Sequence, residues 1–174
     1  MDHFALPGDE LVRAQQAGTL QRNFQGYSTR AECDLVALGV SSISKTGDSY
    51  AQNAKTLPDY DRRIAAGTLA GERGIALDAD DRLRRAVIQQ LMCATRLDFA
   101  GVEAGHGIRF EEYFGRELQA LAPLVADGLI VREDRGLRIT ARGRLLLRTV
   151  AMVFDAHLAK AQPETGQPRF SRVV

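Results

Sequence analysis

Two cysteines, three histidines, five prolines and no tryptophan occur in 174 residues. Cys33 and Cys93 lie far apart in the chain. They make neither a disulfide framework nor a C-x-x-C metal site, so free thiols and a cytoplasmic location are expected. His3, His106 and His157 have no partner at metal-ligand spacing. No apolar run approaches the ~20 residues of a membrane span. No basic segment leads into an apolar core at the N-terminus, so no signal peptide is expected. Neither sign of charge dominates: 23 basic residues face 22 acidic ones, for a net charge of +1. That balance argues against a dedicated polyanion binder, and no nucleic-acid or membrane partner is expected. There is no internal repeat.

What is present suits a packed fold. Hydrophobic residues make up 45% of the chain, enough to build a core. Leu6-Pro7-Gly8-Asp9 reads as a turn and helix start, with Gly18 as a stop. The run LVALGVSSIS predicts a buried strand over Leu35–Ser44. A loop over 45–55 and a short helix from Pro58 to Gly67 follow. This order suits an α/β layer whose other strands are missing from residues 1–77. The Gly-rich stretch 67–77 is the expected domain boundary.

The pattern then changes. Asp78 and Asp81 offer a helix cap, and Leu83, Val87, Leu91 and Ala94 recur at helical spacing. A short helix is expected around 99–104. Phe110, Phe114, Leu118, Leu121 and Val125 predict a longer one, with Pro123 kinking its end. Strands at 129–131 and 137–139 joined through Asp134 and Gly136 predict a hairpin, and 142–159 a closing helix. Helices, a two-stranded wing and a closing helix make a winged-helix-like domain over residues 78–160. Residues 161–174 form a polar tail. A winged helix raises DNA binding as a function. However, the helix that would enter the groove carries Glu111, Glu112, Glu117 and Asp127 against Arg116 alone, and phosphates repel such a face.

The segment Asn23-Phe24-Gln25-Gly26-Tyr27 raises two readings. A glutamine amide with flanking aromatics suits a zwitterionic or purine-like ligand, and glycine permits close backbone approach. The same residues also make an ordinary turn with aromatic anchors. The loop Gly47-Asp48-Ser49-Tyr50 shares this ambiguity.

Taken in order, "MDHFALPGDEL", "RNFQGYSTR", "DLVALGVSSIS", "GDSYAQN", "RLDFA", "EYF", "ALAPLVADGL" and "TARGRLLLR" resemble the C-terminal portion of the bacterial oxygen-independent coproporphyrinogen III oxidase (dehydrogenase) family. These are radical S-adenosylmethionine enzymes of haem biosynthesis. The resemblance runs from Met1 to the tail "FSRVV". It implies a fold of the class α/β plus mainly α: the last elements of a partial (β/α) barrel over 1–77, then the winged-helix-like domain.

The resemblance also implies a [4Fe-4S] cluster on a C-x-x-x-C-x-x-C loop in the parent. This chain lacks that motif, so it is expected to be a fragment, inactive by itself and completed by the remaining barrel in cis, in a monomeric parent. Family members bind two S-adenosylmethionine molecules. By the resemblance, Phe24, Gln25 and Ile43 contact the second. Lys45 and Thr46 stand where the family carries two apolar residues. The implied reaction oxidatively decarboxylates coproporphyrinogen III twice, to protoporphyrinogen IX. Two other functions compete with it: a winged-helix regulator or adaptor, and a stand-alone haem- or porphyrin-binding relative, for which His3 is the candidate ligand.

Overall fold

A computed structural model describes residues 5–30 and 33–160. His3 and the polar tail, 161–174, lie outside the described residues. Helix α1, Glu10–Gln16, starts at Asp9, whose carboxylate accepts the Leu11 N–H at 2.8 Å. This side-chain cap satisfies one of the donors a helix start leaves open. Strands β1, Gln21–Asn23, and β2, Gly26–Ser28, then form a hairpin with Asn23 opposite Gly26. Phe24 and Gln25 are its two-residue tip.

The expected strand over 35–44 is not observed. Leu35 makes an isolated bridge to Lys45, residues 36–42 are irregular, and the strand β3 spans Ile43–Thr46. Small polar residues and Gly39, with φ +101°, divert the chain before it can extend. The expected loop at 45–55 is in fact a tight turn through Gly47 and Asp48 into β4, Ser49–Asn53. After α2, Leu57–Ala65, strand β5, Gly71–Ala76, adds to β4. The order β3-β4-β5 is antiparallel throughout, so Ile43–Thr46 is not an orphan: its partners lie within residues 1–77. The glycine-rich stretch read as a boundary supplies β5 itself.

Helix α3, Ala79–Ala94, opens with a reciprocal cap between Asp78 and Asp81. Beyond it come β6, Arg96–Asp98, and α4, Phe99–His106. The single long helix expected from Phe110 is three short ones: α5, Phe110–Tyr113; α6, Gly115–Ala120; and α7, Ala122–Ala126. Two positions break it. Phe114 leaves the helical region at φ −102°, ψ 25°, and Pro123 lacks an N–H and crowds the preceding turn. Strands β7, Ile130–Glu133, and β8, Gly136–Ile139, form the expected hairpin, and β6 joins them in the order β6-β8-β7. The closing helix is also broken, into a 3-10 turn at Gly143–Leu146, α8, Leu147–Met152, and α9, Ala156–Lys160. Gly143 explains the start of that break. A Cβ there would stand 2.0 Å from the Leu129 carbonyl oxygen, so the backbone must pass close to the start of β7.

The main core lies after residue 80. Leu83, Val87 and Leu91 of α3 face Leu97, Phe99, Phe110, Phe114, Ile130, Leu137, Val150 and Phe154. Phe99 and Phe110 stack at 4.1 Å, and Phe114 meets Phe154 edge-on at 5.4 Å. Aromatic pairs of this kind contribute about 0.5–1.5 kcal/mol beyond their burial. A smaller cluster of Ala14, Leu20 and Cys93 joins α1 to α3.

Two carboxylates tie this core together at its rim. Burial opposes the charge of Asp81, but the His157 ring, at 2.7 Å, and the Asp78 N–H outweigh it and lower its pKa. The Phe110 N–H, at 2.9 Å, is the main cause lowering the pKa of Glu103, with Arg135 adding to it. A carboxylate whose pKa is lower folded than unfolded stabilises the fold above its unfolded pKa. That contribution is lost as pH falls through the folded value. The melting temperature is therefore expected to hold from pH 7 to about 5 and to fall as the solution is acidified below the ordinary carboxylate values. An Asp81→Asn, Glu103→Gln double variant should melt lower at pH 7 and lose less on acidification; circular dichroism melts at stepped pH measure both.

Candidate functional site

The three residues assigned to cofactor contact come from two separate pieces. Phe24 and Gln25 form the β1–β2 hairpin tip, and Ile43 begins β3. The tip is shaped locally: the Asn23 side chain accepts the Gln25 N–H at 2.9 Å, and Gly26 takes φ +134°. A side-chain turn of this type frees the two tip side chains from backbone duty.

Side chains alternate between faces along a strand. Ile43 and Lys45 therefore share one face of the sheet with their cross-strand neighbours Gln52 and Tyr50. Arg73 and Ile75 of β5 continue that face, opposite Gln52 and Tyr50. The Phe24 ring meets the Tyr50 ring edge-on at 5.3 Å. The structure thus brings Phe24 to the face that carries Ile43, through Tyr50. Phe24 remains 55% exposed, Ile43 is half-buried, and Gln25 is exposed. Among the described residues the Gln25 amide makes no side-chain hydrogen bond, which leaves both its acceptor and its donors available to a ligand. Tyr50 was read from sequence only as part of the ambiguous loop Gly47-Asp48-Ser49-Tyr50, and Gln52 was not singled out. Their signal was the period-two spacing in GDSYAQN, which places them on one face once that segment is read as a strand.

The hairpin is held by α3. The Gln89 side chain accepts the Arg22 N–H at 3.2 Å and donates to the Arg22 carbonyl. One amide side chain therefore stands in for a neighbouring strand. The Cys93 thiol donates to the same Gln89 oxygen at 3.4 Å, and the Tyr27 hydroxyl bonds the Met92 carbonyl at 3.2 Å. The sheet is held separately, by Asp48 facing Arg82 at 3.3 Å and Arg85 at 3.6 Å.

The sulfur chemistry of this chain does not suit a cluster. Cys33 is exposed, whereas burial pushes the Cys93 thiol up to about 11. A protonated, hydrogen-bonded thiol is a poor metal ligand. Among the described residues no group of three or more histidine, cysteine, aspartate or glutamate side chains converges. None of their helices is long and apolar enough to cross a membrane.

Gln89→Ala should leave the two partly buried Arg22 backbone groups without partners. A loss of about 1–3 kcal/mol of hairpin docking is expected. In the parent form a thiol reagent should label Cys33 within minutes and Cys93 on unfolding. In the Gln89→Ala variant Cys93 should label faster. Mass spectrometry of timed alkylation reads both rates, and equal Cys93 rates in the two proteins would refute the clamp.

Residues 77–146 match the HemN C-terminal domain family. All 174 residues align with the oxygen-independent coproporphyrinogen III oxidase of Pseudomonas aeruginosa at 51% identity and with that of Escherichia coli at 47%, covering 37% of each relative. The solved Escherichia coli structure described as "Coproporphyrinogen III oxidase (HemN) from Escherichia coli is a Radical SAM enzyme" superposes with a TM-score of 0.85. It is 48% identical, over 90% of this chain and 36% of that one. The chain spans about 37% of the length of the curated relatives it matches. Mixed α/β content and similarity along all 174 residues thus agree with the resemblance drawn from sequence: the chain is similar to about 37% of the length of oxygen-independent coproporphyrinogen III oxidases, and its residues 77–146 to the HemN C-terminal domain.

Proposed function

We propose that this chain is the C-terminal part of an oxygen-independent coproporphyrinogen III oxidase and that Phe24, Gln25 and Ile43 hold the second of its two S-adenosylmethionine molecules. The observation that carries the activity is similarity across all 174 residues to enzymes of that name. Residues 1–77 act as the last elements of a radical-enzyme barrel, and residues 78–160 as a winged-helix-like domain that braces them. The substrate is coproporphyrinogen III and the product protoporphyrinogen IX.

The residues present fit the cofactor and not the cluster. Phe24 offers an exposed ring to a planar group, Gln25 an unsatisfied amide to a polar edge, and Ile43 an apolar neighbour on the same face. The cluster's thiolates must come from outside these 174 residues, because Cys93 is buried and protonated and Cys33 stands alone. When bound and reductively cleaved, S-adenosylmethionine supplies a radical that takes a hydrogen from a propionate side chain, whose loss of carbon dioxide and one electron leaves a vinyl group. The share of this chain is placement: stacking, hydrogen bonding and exclusion of water around the cofactor.

Two experiments test this reading. First, the 174 residues alone, reconstituted anaerobically with iron and sulfide, should give no stoichiometric chromophore near ~400 nm, since three cysteine thiolates are needed. Second, the chain should be grafted in place of the matching portion of the Pseudomonas aeruginosa relative. Gln25→Ala in that enzyme should lower product formation about tenfold, the effect of one lost hydrogen bond of ~1.4 kcal/mol. Cluster content and melting temperature should stay unchanged. Full activity in the variant would make the hairpin tip a structural turn.

A further inference from the structure

The sheet face beside Phe24 and Ile43 carries two cations that the cofactor reading does not use. Lys45 pairs across the strands with Tyr50, and Arg73 pairs with Gln52. Among the described residues neither has a carboxylate partner: no ion pair forms at Lys45, and the Arg73 guanidinium donates from Nε to Gln52 Oε1 at 2.8 Å. Gln52 in turn donates from Nε2 to the Ser41 carbonyl at 3.0 Å. Arg73 is therefore oriented by a two-step hydrogen-bond chain while its terminal nitrogens remain available. Between and beside these cations the face is mainly apolar, with Ile43, Tyr50, Phe24 and Ile75, and its amide, Gln52, is already engaged by Arg73 and the Ser41 carbonyl.

We propose that Arg73, seconded by Lys45, anchors propionate carboxylates of the tetrapyrrole substrate on this face. The inference rests on the cofactor reading above and adds to it the place of the second reactant. Charge complementarity selects the occupant. A guanidinium matches a carboxylate in a two-pronged geometry, and an apolar floor between two cations suits an apolar ring with several acidic arms. S-adenosylmethionine has one carboxylate and also carries sulfonium and ammonium charges, which two cations disfavour. Coproporphyrinogen has four propionates and no cation. Seating them next to Phe24 and Ile43 brings the acidic side chain to the cofactor, as the reaction requires.

The 174-residue chain should be titrated with coproporphyrin III, the stable oxidised porphyrin, and with its tetramethyl ester, following porphyrin fluorescence. The acid should bind more tightly than the ester, and its binding should weaken with salt. Arg73→Gln and Lys45→Met should each weaken it about three-fold, the effect of one exposed ion pair. Arg142→Gln, which removes the same charge from another exposed position, should leave it unchanged. Equal binding of acid and ester, or equal loss in Arg142→Gln, overturns the proposal. So does an effect of Arg73→Gln confined to S-adenosylmethionine binding. Gln25→Ala separates the two readings. If it leaves S-adenosylmethionine binding intact while Arg73→Gln still weakens the porphyrin, the cofactor assignment fails and the propionate face stands. The reverse pattern retains the cofactor site and removes the face.

Discussion

Helix α3 is the constraint on which the rest of the structure depends, because it is packed on two opposite sides. One stripe, Leu83, Val87 and Leu91, inserts into the phenylalanine core. Gln89 and Cys93, on the opposite side, hold the first hairpin and α1. The two stripes follow from residue type at helical spacing. Their strengths differ. Fully burying a Leu or Val contributes about 1.5–3 kcal/mol, whereas a net hydrogen bond contributes about 0.5–1.5 kcal/mol. The aromatic side is therefore the stable anchor, and the hairpin is a lighter attachment carried on it.

This asymmetry explains which parts of the fold were legible in the sequence. Leu83, Val87 and Leu91 recur every four residues, and the structure buries each of them in the core. The β7–β8 hairpin was legible for the same reason, with Asp134 and Gly136 marking the turn. The long helix from Phe110 was not. Its apolar period persists through Leu118, Leu121 and Val125, but the backbone bends at Phe114 and Pro123 so that Phe110 and Phe114 can both reach Phe154. Periodicity reports which side chains seek burial, and cannot register a bend made to bring them to one point.

The first 77 residues misled for the opposite reason. LVALGVSSIS has the composition of a buried strand, yet Val36 and Leu38 are 73% and 85% exposed. Hydrophobicity marks side chains that gain from burial; it does not identify the surface that buries them. The candidate site divides along the same line. Phe24, Gln25 and Ile43 were named from resemblance, and the structure places the first and last beside one sheet face. Gln52 and Arg73 were missed, and Tyr50 was left in an ambiguous loop, because their meaning lies in cross-strand register, which emerges only when GDSYAQN is paired with ISKT and GERGIA.

The site itself is a seam between two pieces that do not pair with each other. The contact across it, Phe24 against Tyr50, is one aromatic edge. Such a pair contributes about 0.5–1.5 kcal/mol, too little to orient a hairpin and a three-stranded sheet. Orientation comes from behind. Gln89 fixes the hairpin through both backbone groups of Arg22, and Arg82 binds both Asp48 of the β3–β4 turn and the Leu77 carbonyl at the end of β5. Both attachments end on α3, about two turns apart along one rigid rod. The distance across the seam is thus set by helix geometry and not by the surfaces that meet there. A seam fixed in this way can leave Phe24 half-exposed and the Gln25 amide unsatisfied without collapsing, which is the condition for holding a ligand between its two sides.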